Sequence, residues 1–383
     1  MKITSQFKFV PYEEQNHKYY YIDNDLMKYP NAWMLISYSK RGPGKTYSVL
    51  DLCRRSEIKF IYMKRTIEDV KALCAGSGSV DTGAKAKLAL DLSPFKPLNR
   101  DKRLNVRCFY ISTGIAGFYN TELDEDHNRY VPVGEPLGYA CAVSGIVKFK
   151  GIDLAECGVL IYDEFIPQLG EHVARNEGSM IMSFYNTLMR DRIQRGLPEI
   201  IFIALANATQ VSNQLFDATG LIDDVVDLEL KHERYFYDAD SGVMVHKLMD
   251  EDYPEAIKDA ETGMERMLKR RNPRMYRVEF EGDFAYDKLD IIRNRSLRGF
   301  KCLYGFKHHD LPYYVYRRDG HNYICKVPQP VKLYDLEDKI ELQQFWKNYG
   351  FDLRVDLFEN RTDVDSYSAY NVIYNFKKLY DVS

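Results

Sequence analysis

The eight residues from Ser39 to Thr46, "SKRGPGKT", crowd two glycines, three cations and a closing hydroxyl into one turn. They follow the phosphate-gripping pattern G-x-x-x-x-G-K-[ST], with Ser39 standing at the first glycine position. Each residue type has a task in that pattern. Gly42 and Gly44 let the backbone turn its N–H groups inward around the β-phosphate of a nucleotide. Lys45 brings a point charge to the β- and γ-phosphates, and the Thr46 hydroxyl ligates Mg²⁺. A helix starting at Thr46 points its positive dipole end at the same anion. Pro43 deletes one N–H donor, though none that the grip requires. The blander reading is a solvated turn whose glycines only permit positive φ. An apolar run (Trp33–Ile36) before the loop and a helical pattern after it favour phosphate binding, since such a loop joins a strand to a helix.

A partner motif stands further along, in "CGVLIYDEFIPQ". The apolar run Val159–Tyr162 reads as a buried parallel strand, and it ends in Asp163 and Glu164. Asp163 is expected to hold the Mg²⁺ shell from across the site, and Glu164 to orient and deprotonate an attacking water. Acidic pairs after apolar strands are common, so the pair gains weight only by following a phosphate loop. Two adjacent acids suit ATP hydrolysis, whereas a kinase would set its base against a second substrate. The strand "EIIFIALANA" ends at Asn207, a polar tip placed to sense the γ-phosphate or the water. Arg190, Arg192 and Arg195 cluster just before Leu197-Pro198. They either complement a helix dipole or include a finger that crosses a subunit boundary to neutralise transition-state charge. The residues leave both open.

These motifs need a sheet to position them. "KFIYMKRT", "RLNVRCFYIST" and "GYACAVSGIVKFKG" supply further strand patterns. "AGSGSVDTGAKAK" reads as a flexible, moving connector and "SPFKPLNRDKR" as a basic loop (Lys96, Arg100, Lys102, Arg103) able to track a phosphate backbone. "ELDEDHNRY" reads as an exposed acidic turn. Past residue 230 the texture changes. A linker with a basic helix end (Lys269, Arg270, Arg271, Arg274) occupies 231–290, and a small α+β domain follows over 291–383. In that domain "PYYVYRRDGHNYICKV" is a hairpin turning at Asp319-Gly320, and the tail reads as two amphipathic helices. His308-His309-Asp310 reads as an exposed turn rather than a metal site.

The 383 residues exceed one ordinary core, and a 45% hydrophobic share excludes a disordered chain. The net charge of -3 decides little, because a weakly acidic average can hide basic patches. Seven cysteines without CxxC or zinc spacing argue for reduced thiols in a cytosolic compartment. No signal-peptide core and no bilayer-length apolar run is visible, so a soluble cytoplasmic protein is expected. Thirty tyrosines are the one compositional oddity, and the sequence offers no reason for them.

Taken in order, "SKRGPGKT" with Arg41 before its glycines, "YMKRT", "GYACAVSGIVKFKG", "VLIYDEF", "MRDRIQRG" and "ALANATQVSNQLF" resemble the DNA-packaging ATPases of small short-tailed bacteriophages, relatives of terminase large subunits. The resemblance covers roughly residues 30 to 230 well and the remainder in outline. It implies an α/β fold: an additional-strand (ASCE) P-loop NTPase domain with a mostly parallel sheet, over residues 1–230. Such a domain binds ATP and Mg²⁺ and assembles as a homo-oligomeric ring, pentameric in this family. The ring docks from the host cytoplasm on the portal of a procapsid, drives double-stranded DNA inward and is absent from the mature virion. A structural packaging RNA is a further partner to consider. By position, Arg190 falls where the family's trans-acting arginine lies, with Arg192 in reserve, and Asn207 matches the coupling motif. The C-terminal domain resembles a ribonuclease-H-like nuclease, but its first strand is not followed by the aspartate a two-metal site needs, so loss of cleavage is expected. A terminase with an active nuclease, a helicase or recombination ATPase, and a nucleotide-gated binding protein are the alternatives. Glu164 speaks against the last.

Overall fold

The structure is a computed structural model, and it describes residues 6–75, 92–127, 129–149, 154–168, 170–171, 173–174, 176–255, 261–284 and 287–380. The glycine- and serine-rich connector expected to move lies almost wholly outside the described residues. The chain divides into two compact units, residues 1–218 with 233–286, and residues 219–232 with 287–383.

The first unit is built on nine strands: β1 (Met34–Ser39), β2 (Phe60–Lys64), β3 (Val106–Ser112), β4 (Ile115–Asp124), β5 (Arg129–Ala142), β6 (Val159–Asp163), β7 (Ile201–Asn207), β8 (Tyr235–Asp238) and β9 (Val243–Lys247). They form one sheet in the order β3-β4-β5-β2-β6-β7-β1-β9-β8. The central pairings, from β5 through β2, β6, β7 and β1 to β9, are all parallel. Strands β1 and β7 are almost completely buried, as their unbroken apolar runs require when both faces are covered. β7 lies between β1 and β6, so the two motif strands are separated by one additional strand.

Two expectations need correcting. The first unit does not end at residue 230, because β8 and β9 return to the sheet and β9 pairs directly with β1. Residues 231–290 are therefore not a linker. The chain carries the short helix Ile222–Leu230 into the second unit before coming back. The basic connector read as a loop is a helix, Lys96–Lys102, started by Pro97 in its first turn. The acidic tract is the tip of the long β4–β5 hairpin, close to the exposed turn expected.

The second unit carries β10 (Lys301–His308), β11 (Leu311–Arg318), β12 (His321–Cys325), β13 (Leu333–Asp335) and β14 (Thr362–Val364), in the order β13-β10-β11-β12-β14. The hairpin falls where the sequence placed it: Asp319 (φ 50°) and Gly320 (φ 77°) both sit in the left-handed region that such a two-residue turn requires. Helix Ile222–Leu230 is tied in through Asp223, which accepts from the Ser368 backbone N–H at 2.8 Å and hydroxyl at 2.7 Å. Of His308-His309-Asp310, only His309 and Asp310 form the exposed turn expected, while His308 ends β10 and is buried. None of the seven cysteines forms a disulfide. Among the described residues no helix is long and apolar enough to cross a membrane.

Behind β1 lies a buried ionisable cluster. His246 on β9 has Nδ1 2.9 Å from Asp25 and Nε2 3.2 Å from Asp252. Tyr20 donates to the same Asp25 oxygen at 2.6 Å, and the Tyr235 ring stacks on the imidazole. Burial opposes charge on His246, yet the two carboxylates outweigh it and hold its pKa above the ordinary value. Arg234 also reaches Asp252, whose pKa is depressed despite its own burial, chiefly by His246. A histidine with a raised folded-state pKa stabilises fully below its unfolded value of about 6.5 and loses that contribution as pH rises through the folded value. In urea denaturation, wild type should therefore exceed His246→Asn by a wider margin at pH 6 than at pH 9. A margin that does not change with pH would rule out a charged imidazole.

Candidate functional site

Strands β1, β7 and β6 end side by side, with Ser39 opposite Asn207 and Asp163 opposite Leu205. The carboxyl edge of an open parallel sheet is where such folds bind ligands. After β1 the backbone turns through Gly42 (φ 99°) and Gly44 (φ 88°), conformations that only glycine adopts without strain. Ser39 is still in the extended strand and has no need to be glycine. This accounts for the departure from the usual motif.

Lys45 opens the helix Lys45–Ser56 and is buried. Its Nζ donates to Ser39 Oγ at 2.6 Å, the Lys40 carbonyl at 3.2 Å and Asn207 Oδ1 at 3.3 Å. These partners are neutral oxygens. Burial pushes the ammonium down to about 8, against the pull of Asp163. A buried cation so placed gains from any anion that enters.

Asp163 closes β6. Its Oδ2 accepts from Thr46 Oγ1 at 3.0 Å and from the Tyr62 hydroxyl at 2.5 Å. Burial, reinforced by Asp163 itself, raises the Tyr62 phenol well above its ordinary pKa and keeps it a donor. Hydroxyl and carboxylate thus share one point as hard oxygen ligands, which suits Mg²⁺. Glu164 follows in a left-handed conformation (φ 59°), and its carboxylate accepts from Lys64 Nζ at 2.7 Å. Burial opposes charge on Lys64, but Asp163 and Glu164 raise its pKa overall.

One cleft of about 630 Å³ brings together Lys45, Thr46, Asp163, Glu164 and Asn207. Arg41 and Lys64 also line it, and Arg41 lies 3.7 Å from Glu279. Arg190 is exposed on the helix Glu177–Gln194 and is not part of this lining. Arg192 corrects an expectation. It is buried, and its guanidinium donates to the carbonyls of Ala155 (2.7 Å), Cys157 (2.8 Å) and Pro198 (2.7 Å). A group held in this way braces its own fold and does not project to a neighbour.

Sequence reasoning passed over the most elaborate contact of the site. Arg65, next to Lys64, is buried and donates to the carbonyls of Glu164 (3.1 Å) and Phe165 (3.0 Å). The same guanidinium pairs with Glu171 and, at 3.0 Å, with Glu177, which also accepts from Tyr162 at 2.5 Å. Arg65 therefore fixes the backbone on which Glu164 is mounted. The signal in the sequence was two cations closing a buried strand in "YMKRT", an expensive place for charge without partners.

The class is a mixed α/β fold with a large, mostly parallel sheet and a glycine-rich loop at the carboxyl edge of that sheet. Solved structures share it over nearly the whole chain. A chain of the phi-28 gp11 DNA packaging motor matches with a TM-score of 0.56 at 13% identity, over 96% of this chain and 99% of that one. A chain of the bacteriophage phi-29 viral genome packaging motor assembly matches with a TM-score of 0.57 at 16% identity, over 94% and 99%. No protein-family model matches the sequence, and no curated protein does. At such identities the likeness establishes the fold, in agreement with the resemblance read from the motifs.

Arg65→Ala would leave Glu177 buried, with Tyr162 as its remaining side-chain partner among the described residues. It should cost about 3–5 kcal/mol of unfolding free energy in urea titrations. Adding Glu177→Leu should recover a substantial part. A single-variant loss below about 1 kcal/mol would show that the brace carries little.

Proposed function

We propose that this chain is an ATP-hydrolysing motor that drives double-stranded viral DNA into a preformed procapsid. The observation that carries the reading is the convergence of Lys45, Thr46, Asp163 and Glu164 on one cleft, at the ends of β1 and β6 with β7 between them. This is the arrangement of an additional-strand P-loop ATPase. The likeness of fold to phage packaging motors supplies the work to which hydrolysis is coupled.

In this reading the N–H groups of the Gly42–Thr46 turn and the Lys45 ammonium hold the β- and γ-phosphates. Thr46 and Asp163 hold Mg²⁺, which screens phosphate charge when bound. Glu164 takes a proton from the attacking water once its carboxylate leaves Lys64. Asn207 touches Lys45 directly and reports the state of the γ-phosphate from the tip of β7. Arg190, exposed on the helix Glu177–Gln194, is the arginine supplied to a neighbouring subunit in a ring. The ring docks on a portal in the host cytoplasm, with five subunits and a structural RNA as the forms the family resemblance favours.

We assign the second unit a ribonuclease-H-like ancestry with cleavage lost. Strand β10 contains no acidic residue. Nearby carboxylates are spent on cations: Asp335 on Lys307 at 2.8 Å, and Asp363 on Arg293 and Arg295, with the His321 ring also against it at 3.0 Å.

ATP turnover, with and without double-stranded DNA, tests the motor. Glu164→Gln should lower kcat by about 10²–10⁴-fold while nucleotide binding persists. Turnover at the wild-type rate would remove Glu164 from the chemistry and the reading with it. Mixing Arg190→Ala with Lys45→Ala subunits tests the finger separately. Recovery of turnover in the mixture places Arg190 in a neighbour's site, and a fully active Arg190→Ala protein excludes it.

A further inference from the structure

The cleft is lined by more than the residues that would hold phosphate. Tyr47, Leu73, Leu92, Pro94 and Pro97 also line it, with Ser93 and Lys96 among them. The lining therefore joins cationic groups (Arg41, Lys45, Lys64 and Lys96) to aliphatic and aromatic carbon. Tyr47 comes from the first turn of the phosphate-loop helix. Leu92, Pro94 and Pro97 come from the segment that leads into the helix Lys96–Lys102, which packs against that same helix. Leu92 is 49% exposed, and Pro97 is also exposed. Apolar groups held open at the mouth of a charged cleft fit a ligand with one anionic and one flat apolar end.

We propose that this shelf, made by Tyr47 with Leu92, Pro94 and Pro97, is the subsite for the nucleobase. The inference rests on the phosphate-loop reading above and extends it to the other end of the nucleotide. Phosphates fixed at Gly42–Thr46 leave the nucleoside to run past the first turn of the helix, where Tyr47 stands. The tyrosine ring, which stacks on Tyr19, together with the proline rings and the leucine of the same lining, offers stacking surface, which every base can use. Tyr47 is half-buried, and burial with the nearby carboxylates of Asp51 and Asp101 pushes its phenol up to about 12, so the ring stays neutral at working pH. Base affinity at this subsite comes from contact area, and the sequence pattern of the phosphate loop says nothing about it.

Calorimetric titration of the full chain with ADP and, separately, with pyrophosphate tests the proposal. Both carry the two phosphates the loop would hold, but only ADP carries a base. Leu92→Ser and Tyr47→Ala should each weaken ADP about tenfold and leave pyrophosphate within about twofold of wild type. Leu92→Ser alters an exposed side chain and serves if Tyr47→Ala disturbs the loop. ADP affinity unchanged in Leu92→Ser would overturn the shelf, as would an equal loss for both ligands. If wild type binds neither ligand, the phosphate-loop reading fails first and the shelf falls with it. If pyrophosphate binds wild type as tightly as ADP, the shelf alone fails.

Discussion

The whole site depends on keeping one ammonium buried without a carboxylate against it. Lys45 is dissolved in three neutral oxygens, and burial has already lowered its pKa to about 8. Leaving a charge in that state is costly, and folded structures tolerate it only where the surroundings are rigid and an anion is due. The rigidity is topological. Ser39 ends β1, Asn207 ends β7, and the two strands are paired in register to their last residues. A slip of one residue would carry both oxygens to the wrong face of the sheet. The additional strand β7 thus does more than widen the sheet. It supplies the amide that completes the lysine's shell.

On the far side of β7, the carboxylates are managed by β2. Lys64 ends that strand and Arg65 follows it, and the tasks of the two cations divide cleanly. Lys64 takes the side chain of Glu164, and Arg65 takes the backbone beneath it. The tyrosine-rich composition finds its reason in the same neighbourhood. Tyr20, Tyr62 and Tyr162 fill core volume as aromatic bodies while giving a hydroxyl proton to Asp25, Asp163 and Glu177. A phenylalanine would pack as well and leave a buried carboxylate short of a donor. In the second unit Tyr367 plays that part for Asp287.

What could be read from the sequence divides along physical lines. The glycine-rich loop, the Asp163–Glu164 pair, β1, β6, β7 and the β11–β12 hairpin were legible, because each is local: a run of apolar residues, or a turn that demands positive φ. β8 and β9 were not. "YFYD" and "VMVHK" are short, and what makes them strands is that β9 pairs with β1 some two hundred residues earlier and β8 pairs in turn with β9, which no window of sequence reveals. Arg192 failed for the converse reason. A cluster of arginines looks the same in sequence whether its members project outward or turn back on carbonyls, and only the fold shows that Arg192 turns back while Arg190 is exposed. Arg65 was visible as a letter in "YMKRT", but its partners Glu171 and Glu177 stand far along the chain.

Asp163 at the end of β6 and Glu164 just after it are held differently, and under the proposed function the difference has a consequence. Asp163 is fastened by two neutral hydroxyls, so a metal ion held there would replace hydrogen bonds without first breaking an ion pair. Glu164 is fastened by a charge, but its carboxylate is half-exposed, 52% against 15% for Lys64. Releasing Glu164 hands its carboxylate to water and leaves the mostly buried Lys64 to the field of Asp163, while Arg65 keeps the backbone beneath Glu164 from following. Under the proposed function the metal ligand is thus preorganised, and the base can turn towards solvent on a fixed mount. Holding side chain and backbone by separate cations suits an enzyme that activates water only once its substrate is bound, and Lys64 and Arg65 do so from adjacent positions.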